Sequence, residues 1–427
     1  MAHKSLVGGT AYNISGGKSM VSGTSYNISG GKTLVGGTGY SISFALDNND
    51  DAYAMLYNSN GSSMMLRDLF FQRNDKVESG LTLYNIYTDF ENSEYASASE
   101  VPWYDVQLNL YQVIFKDEIS PYSMQYWFNN SYYMINCDTS KLNMNKVINM
   151  VNTYYNCTNL RGSPICGDNV VNMYSTYSRC YKLTGHPICG NNVTNMCATY
   201  YYCSSLTGNP VCGENVTNMV LTYVNCRRLT GNPVCGNNVT NMRSTYANCS
   251  NLTGNPVCGD KVTEMSATYY DCGNLTGNPV CGESVINMNT AYAYCYNLTG
   301  SPVCGNNVVN MLGTYSAWNC TGNAYFYSAK INNSKNCFVN KNNSKRLNIY
   351  IPNNSTTKRT VLYNNTRSLV GANITWTNAG TYQYNTSYNI YIYPVANVAA
   401  AAIANGDEEA NANAGITINS SHSGGWS

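Results

Sequence analysis

The sequence predicts an α+β solenoid of 23-residue coils, flanked by mostly β domains on its N- and C-terminal sides. Three observations support this class. A cysteine recurs every 23 residues through seven units without a slip. The apolar residues of each unit are spaced for a short strand and a helical turn, whereas the flanking segments alternate apolar and polar residues as strands do. A fixed period of this size is typical of repeats that stack on one another.

The coil that starts at Cys180 shows how each element is predicted. Its apolar positions are Leu183, Ile188, Val193, Met196 and Tyr200. The spacing of Val193, Met196 and Tyr200 predicts one face of a short helix. An Asn or acidic residue shortly before that face suits a helix cap. Residues 187–189 predict the strand, with its proline at the first position, where a missing N–H is tolerated.

The flanking segments differ from the coils and from one another. Residues 1–42 carry a second repeat with a 14-residue step and Gly-Gly turns, which predicts β-hairpins. Alternation at 81–87 and 106–115 predicts strands. The predicted domains are 1–42 (Gly-rich hairpins for attachment), 43–120 (small, mostly β), 121–328 (solenoid, with its N-terminal cap near 119–133), 329–397 (β-rich C-terminal cap) and 398–427 (Ala-rich, then a flexible tail).

Charge and hydropathy exclude several classes of protein. Only 11% of residues are charged and the net charge is +1, so we expect neither a nucleic-acid surface nor a polybasic membrane patch. The chain has no run of about 18 apolar residues, so we expect no membrane insertion. Residues 1–9 lack the apolar core of a secretory signal, so we do not expect export by a signal peptide.

Fourteen of the 18 cysteines fall in two columns. The first column is Cys157, Cys180, Cys203, Cys226, Cys249, Cys272 and Cys295; the second is Cys166, Cys189, Cys212, Cys235, Cys258, Cys281 and Cys304. Their spacing does not suit a zinc site, which needs four converging ligands. Two interpretations stay open: buried reduced thiols, favoured by the missing secretion signal, or one disulfide per coil, such as Cys180 to Cys189.

No residue pattern predicts catalysis, a metal or a cofactor. The three histidines are His3, His186 and His422, and none has a supporting catalytic motif. Four carboxylates, Asp168, Glu214, Asp260 and Glu283, share one position of the repeat, where the other repeats carry Asn. No close carboxylate pair for sugar hydrolysis is therefore expected, and helix capping is the simpler role for these residues. We expect a protein that is not an enzyme and has no catalytic, metal or cofactor-binding residues.

Differences between the coils mark a candidate recognition edge. The Leu-Thr-Gly-Asn-Pro-Val-Cys-Gly segment is nearly identical in successive repeats, while residues beside the first cysteine, and those after Met and Tyr, vary. Tyr and Arg are the residue types that most often anchor interfaces. The candidate residues are Tyr181, Lys182, Tyr201, Tyr202, Arg227, Arg228, Arg243, Tyr270, Tyr294 and Tyr296. Neutral variation on a solvated face is the alternative.

The coil pattern also resembles a known family. Tyr200-x-x-Cys203-x-x-Leu206, followed by Val216-x-x-Met219, is similar to the unit of BspA-type leucine-rich repeat proteins. The resemblance covers roughly residues 124–328 and implies a leucine-rich-repeat solenoid. The second cysteine of each coil departs from the usual unit of that family.

The two ends resemble structural proteins of tailed bacteriophages of gut bacteria. The hairpin repeat of residues 1–42 is similar to their starts, and residues 325–327, 348–357 and 385–395 are similar to their C-terminal parts. This resemblance implies a fibre, spike or decoration protein on the virion surface, made in the host cytoplasm. It would be a homo-oligomer that binds other virion proteins through residues 1–42 and a host-surface glycan or protein through the solenoid. A bacterial cell-surface adhesin is the alternative, and a glycan-degrading tail spike is a weaker one.

Overall fold

The computed structural model describes residues 52–58, 66–317, 322–338, 346–353 and 391–407 with their side chains. It describes strands within residues 3–41, 374–376 and 382–384, together with residue 390, as backbone alone. The chain divides into two compact units. The first is Met1–Gly162 with Gly167–Val170, and the second is Ser163–Cys166 with Val171–Ser427. The boundary between them falls inside the predicted 121–328 domain.

Residues 3–41 form six short strands that pair antiparallel with their neighbours. Their bounds are β1 His3–Val7, β2 Thr10–Ser15, β3 Lys18–Val21, β4 Thr24–Asn27, β5 Lys32–Val35 and β6 Thr38–Ser41. The first four make one sheet in chain order, and β5 and β6 make a separate hairpin. This is the backbone arrangement that the 14-residue step and its Gly-Gly turns predict.

The rest of the first unit contains a five-stranded mixed sheet. Its strands are β7 Tyr53–Asn58, β8 Arg67–Gln72, β9 Leu83–Tyr87, β10 Leu110–Phe115 and β11 Asn136–Asp138, in the order β11-β10-β8-β7-β9. β10 runs parallel to β8 and β11, whereas β7 is antiparallel to both of its neighbours. The predicted strand at 106–115 is shorter than expected, because Tyr104–Asn109 forms a 3-10 helix before β10.

An aromatic cluster forms the core beside this sheet. The Phe71 ring stacks on Phe115 and Trp127, with ring centroids 4.5 and 5.4 Å apart, and meets Trp103 edge-on. The Trp103 indole N–H donates to the Trp127 carbonyl oxygen at 2.6 Å, which pairs its polar atom inside the core. Trp127 and Phe128, from the predicted cap, are fully buried in the first unit.

In the second unit, successive 23-residue repeats lie side by side in register. The N–H groups of Met196, Ala198 and Tyr200 donate to carbonyl oxygens 22 residues later, at 2.8–3.0 Å. The N–H groups of Thr199 and Cys203 donate instead to the carbonyl three residues earlier, at 3.0–3.1 Å. Alternate N–H groups therefore bind the next repeat and close a turn in their own repeat, which pairs the backbone without a helix.

The predicted helical turn is wrong. Residues 171–317 contain no helix, and the segment from Met196 to Cys203 is a series of turns. Ala198 and Tyr202 have left-handed backbone conformations, with φ of 54° and 63°, which a helix cannot contain. The helix-capping role assigned to Asp168, Glu214, Asp260 and Glu283 is wrong for the same reason.

The predicted strand within each repeat is also misplaced. Residues 187–189 are not a strand, and at the equivalent place only β12, Val303–Cys304, is extended and paired. Parallel bridges join the repeats instead at one column, Asn172, Asn195, Asn218, Asn241, Glu264, Asn287, Asn310 and Asn333. Leu183, Val193, Met196 and Tyr200 are buried as expected. Ile188 is only half-buried, and the adjacent Pro187 points inward in its place.

A six-stranded sheet follows the repeats. Its strands are β12, β13 Gly322–Phe326, β14 Leu347–Pro352, β15 Ile374–Trp376, β16 Tyr382–Tyr384 and β17 Ile390–Val395. β12, β13, β14 and β17 pair in parallel, and β16 and β15 complete the sheet antiparallel. Residues 354–373 of the predicted β-rich C-terminal cap lie outside the described residues.

One helix, α1 (Val398–Ala404), follows this sheet, and the Asn397 side chain caps it by accepting the Ala400 N–H at 3.1 Å. The start of the predicted flexible tail is ordered, because Asp407 accepts hydrogen bonds from Asn323 and Tyr325. The rest of that tail lies outside the described residues. Among the described helices, none has the length and hydropathy needed to cross a membrane.

Candidate functional site

A column of stacked tyrosines runs through the interior of the repeats. Its members are Tyr177, Tyr200, Tyr223, Tyr246, Tyr269, Tyr292 and Tyr315. Neighbouring rings are nearly parallel, with centroids 5.5–5.9 Å apart. Phe338 continues the column, its ring centroid 5.7 Å from that of Tyr315. The column fixes the spacing of the repeats and therefore of everything that they display.

Each tyrosine hydroxyl is paired inside its own repeat. The Tyr246 hydroxyl donates to the Val234 carbonyl at 2.6 Å and accepts the Val234 N–H at 3.0 Å. Burial raises the pKa of Tyr246 well above its ordinary value. The same pairing recurs in other repeats, for example between Tyr200 and Ile188. Residues 187–189 do not form a strand, so their backbone groups have no strand partners. The Tyr200 hydroxyl pairs with the Ile188 N–H and carbonyl groups instead.

A threonine and a cysteine in each repeat bind the repeat before it. The Thr222 hydroxyl lies 3.0 Å from the Met196 carbonyl of the previous repeat and 2.8 Å from the Met219 carbonyl of its own. The Cys226 thiol donates to the Tyr200 carbonyl at 3.0 Å. The same thiol contact recurs from repeat to repeat, for example at Cys203 and Cys249. The first cysteine column is fully buried at these contacts.

All fourteen column cysteines are free thiols, so the structure does not contain the alternative bridge between Cys180 and Cys189. Burial raises the pKa of Cys226 well above its ordinary value and that of Cys249 to about 12. The second column is half-buried from Cys166 to Cys258 and buried at Cys281 and Cys304. A thiol held protonated in this way is a poor nucleophile and a poor metal ligand.

The second column explains the glycine that follows it. A side chain at Gly236 would place its Cβ 3.1 Å from the Cys212 sulfur and 3.0 Å from the Gly213 carbonyl oxygen. A residue with a side chain would require the neighbouring repeat to shift by a few tenths of an ångström. The repeated Cys-Gly pair is therefore a packing device between repeats.

The bridging Asn column was not predicted from the sequence. Each amide oxygen accepts a backbone N–H two residues later, as Asn195 does from Cys197 at 3.0 Å. Where Glu264 replaces Asn, its carboxylate accepts the Asn287 amide at 2.9 Å and the Ser266 N–H at 2.7 Å. The recurrence of Asn at every position of this column except Glu264 was the available signal, because Asn suits turns that bind their own backbone.

Nine of the ten predicted recognition residues lie on one edge. We define the cysteine-flanking edge as the two residues before and the two after each first-column cysteine from Cys180 to Cys295. It contains Tyr181, Lys182, Tyr201, Tyr202, Arg227, Arg228, Tyr270, Tyr294 and Tyr296. The tenth residue, Arg243, lies elsewhere: it follows Met242 and is exposed. Its charge lowers the pKa of the nearby Cys197 thiol, but burial has the larger effect and the pKa of Cys197 is raised.

Two tyrosine clusters stand on this edge. In the first, the Tyr201 and Tyr202 ring centroids are 4.5 Å apart. The pKa of Tyr201 is raised mainly by burial, and the nearby Tyr181 adds to the rise. In the second, Tyr294 lies between Tyr270 and Tyr296, with centroids 5.3 and 6.3 Å apart. Both clusters therefore combine several amphipathic rings, the side chains best suited to binding at a wet surface.

Backbone hydrogen bonds hold the edge at a regular spacing. The residue before each cysteine donates to the next repeat: Arg179 to Tyr201 at 2.7 Å, Tyr202 to Val224 at 2.7 Å, and Asp271 to Ala293 at 2.8 Å. Because these bonds recur in every repeat of the edge, the exposed side chains project from a rigid ladder. Such a surface is preorganised for an extended ligand.

The residues considered for chemistry whose side chains the structure describes lie at the surface. His186 is exposed and Asp168, Glu214, Asp260 and Glu283 are all exposed. Within the described residues, no group of three or more His, Cys, Asp or Glu side chains could hold a metal ion. The side chains of His3 and His422 lie outside the described residues.

A second surface feature is a shallow groove of about 630 Å³ across four repeats. Its lining residues are Val171, Asn192, Thr194, Asn215, Thr217, Asn238, Thr240 and Lys261. The threonine hydroxyls are already used between repeats, since Thr217 donates to the Thr194 carbonyl at 3.2 Å. The Asn215 amide likewise donates to the Asn191 carbonyl at 3.0 Å. These groups hold the repeats together, which leaves the cysteine-flanking edge as the better candidate site.

No protein-family model, curated protein or solved structure matches the chain.

Proposed function

We propose that this chain is a non-enzymatic structural protein of a bacteriophage virion, a fibre, spike or decoration protein. In this proposal the repeats form a leucine-rich-repeat-type solenoid that acts as a rigid spacer, with host adhesion confined to the cysteine-flanking edge. Residues 1–42 attach the chain to the particle. The observation that carries the proposal is the continuous buried column of seven tyrosines, spaced 5.5–5.9 Å apart.

The interior of the repeats supports a mechanical role. Its buried polar atoms bind the backbone of the same or the previous repeat, as Thr222 and Cys226 do. An interior of this kind leaves few groups for binding or chemistry and resists local opening, because many of its hydrogen bonds cross from one repeat to the next. A spacer needs this property, whereas a catalytic cleft needs buried groups that face a substrate.

The hairpins support attachment. Six strands within residues 3–41 form two small antiparallel sheets, and sheets this small gain stability by packing on a partner. The resemblance of this segment to the starts of phage structural proteins agrees with such a partner on the virion. Strand addition at a sheet edge is a recurrent mode of protein association.

Deletion of residues 1–42 is expected to abolish incorporation of the chain into phage particles. The matched control deletes residues 226–248, one whole 23-residue repeat, which keeps the register of the remaining repeats. The control protein is expected to be incorporated at the level of the full chain, measured by mass spectrometry of purified particles. Incorporation of the protein that lacks residues 1–42 would contradict the assigned role of this segment.

A further inference from the structure

We propose that the cysteine-flanking edge binds an extended anionic polysaccharide that runs along the repeats. The tyrosine rings stack on sugar rings, and Lys182, Arg227 and Arg228 bind carboxylate groups of the chain. This inference rests on the proposed adhesive role and names the class of ligand for it.

The tyrosine clusters have the geometry of sugar-binding platforms. Tyr181, Tyr202 and Tyr296 are 37–39% exposed, so a substantial part of each residue is open to solvent. The Tyr296 ring lies beside Gly273, where a Cβ would be 3.4 Å from it, in ordinary van der Waals contact. A sugar ring offers an apolar face of C–H groups to an aromatic face and hydroxyls to its polar tip.

Cations dominate the charge of this edge. Arg179, Lys182, Arg227 and Arg228 are all exposed on its first three repeats, which contain no acidic residue at these positions. Asp271 is the single acidic residue of the edge. The planar guanidinium groups of Arg227 and Arg228 match a carboxylate in a bidentate arrangement. Four cations at these positions are a large share for a chain whose net charge is +1.

The backbone beneath the tyrosines gives independent support. The residue before each first-column cysteine has a left-handed conformation, with φ of 57–64° from Arg179 to Tyr294. Asn225 and Asn248 occupy this position in two repeats, and Asn tolerates it well. A bulky residue costs about 1 kcal/mol more there. Tyr202 and Tyr294 therefore occupy positions that stability alone would give to Asn.

The spacing of the edge favours a polysaccharide over a folded protein. Tyr202 and Tyr294 are four repeats apart in the sequence, or about 20 Å at the usual strand separation of ~4.8 Å. One sugar unit in an extended chain has a length similar to that separation. A stable protein interface needs an apolar centre of several side chains. Here Val224, Ala247 and Ala293, the aliphatic residues of the edge, are buried.

Affinity electrophoresis of the full chain through gels that contain polygalacturonate, alginate or hyaluronan tests the proposal. Retardation is expected in at least one gel, and the methyl ester of polygalacturonate, which lacks the charge, is expected to retard the chain less. Two double variants, Tyr202→Asn with Tyr294→Asn and Arg227→Ser with Arg228→Ser, are expected to weaken binding at least tenfold. Each substitution introduces a residue that other repeats carry at the same position, such as Asn225 or Ser204.

The matched controls are Tyr174→Ser and Arg243→Ser, an exposed tyrosine and an exposed arginine outside the edge. Both are expected to bind like the full chain. The melting temperature of the Tyr202→Asn, Tyr294→Asn variant is expected to equal or exceed that of the full chain, because Asn relieves the left-handed strain. Loss of binding then cannot be due to unfolding.

Absence of retardation in all three gels would overturn the inference, as would equal binding by the edge variants and the full chain. Binding of a purified host surface protein, with no polysaccharide retardation, would also overturn it. These outcomes are separate from particle incorporation, since the purified chain binds or fails to bind whether or not it is part of a virion.

Discussion

Alkaline titration is expected to unfold the repeats cooperatively once the pH exceeds about 10, the ordinary pKa of tyrosine. Burial raises the pKa of all seven column tyrosines well above that value, including Tyr200, Tyr246 and Tyr292. The folded protein therefore retains protons that the unfolded chain has lost. Their contribution to stability is complete below the ordinary pKa and disappears as the pH rises above it.

The size of this effect follows from the number of groups. Each retained proton costs about 1.4 kcal/mol of stability per pH unit above the unfolded pKa. Seven buried tyrosines together cost about 10 kcal/mol per pH unit, comparable to the whole stability of a typical domain. The buried thiols, such as Cys226 and Cys272, have pKa values raised by burial and add to the effect from about pH 8.5 upward.

The measurement is tyrosinate absorbance and circular dichroism recorded on the same samples. Ionisation of the column tyrosines and loss of the folded signal are expected to coincide in one steep transition. The chain in denaturant is the reference, where ionisation is expected to be gradual and centred near pH 10. Gradual ionisation of every tyrosine in the folded chain, without change in circular dichroism, would show that the column is not buried.

Replacing Tyr246 by alanine is expected to destabilise the repeats by about 4 kcal/mol or more. The ring lies between Tyr223 and Tyr269, 5.5 and 5.6 Å away, so its removal leaves a cavity in the column. It also removes the partner of the Val234 N–H and carbonyl groups, which costs a further ~1–3 kcal/mol. The free energy of unfolding in denaturant measures the sum.

Two variants separate the parts of this effect. Tyr246→Phe keeps the ring and removes only the hydroxyl, so a loss of about 1–3 kcal/mol is expected. Tyr181→Ala removes an exposed tyrosine and is expected to change stability by less than ~0.5 kcal/mol. Equal losses for Tyr246→Ala and Tyr181→Ala would be incompatible with a stacked interior column.

The period and most inward positions could be predicted from the sequence alone. A buried side chain in a repeat meets the same environment in each repeat, so Leu183, Val193, Met196 and Tyr200 are marked by their recurrence. The sequence predicts Ile188 in the interior and Pro187 at the start of a strand. In the structure Pro187 is buried and Ile188 is only half-buried. A one-residue shift of this kind turns the side chain to the other face and is not visible in composition.

The helical turn was wrong for a physical reason. A buried residue every third or fourth position fits one face of a helix, and it fits equally a series of three-residue turns whose alternate N–H groups bind the next repeat. Left-handed residues distinguish a series of turns from a helix. Ala198 and Tyr202 have this conformation, but Ala and Tyr are not residue types that indicate it in a sequence. Hydrogen bonds between repeats stabilise the turns instead of a helix. The spacing of apolar residues within one repeat gives no information about these bonds.

The candidate site was predicted in part. Variation between repeats located nine of its residues, while the grouping of Tyr270, Tyr294 and Tyr296 required the geometry of adjacent repeats. Arg243 varies in the same way and lies off the edge. The strain beneath Tyr202 and Tyr294 could not be predicted, because φ depends on the backbone ladder and not on the residue type.

Electron cryomicroscopy of purified phage particles is the most direct test of the proposed role as a virion spacer. The expected result is a density on the particle that contains parallel coils separated by about 4.8 Å, joined to the virion through residues 1–42. Particles that lack this density, and whose protein content does not include the chain, would contradict the proposal.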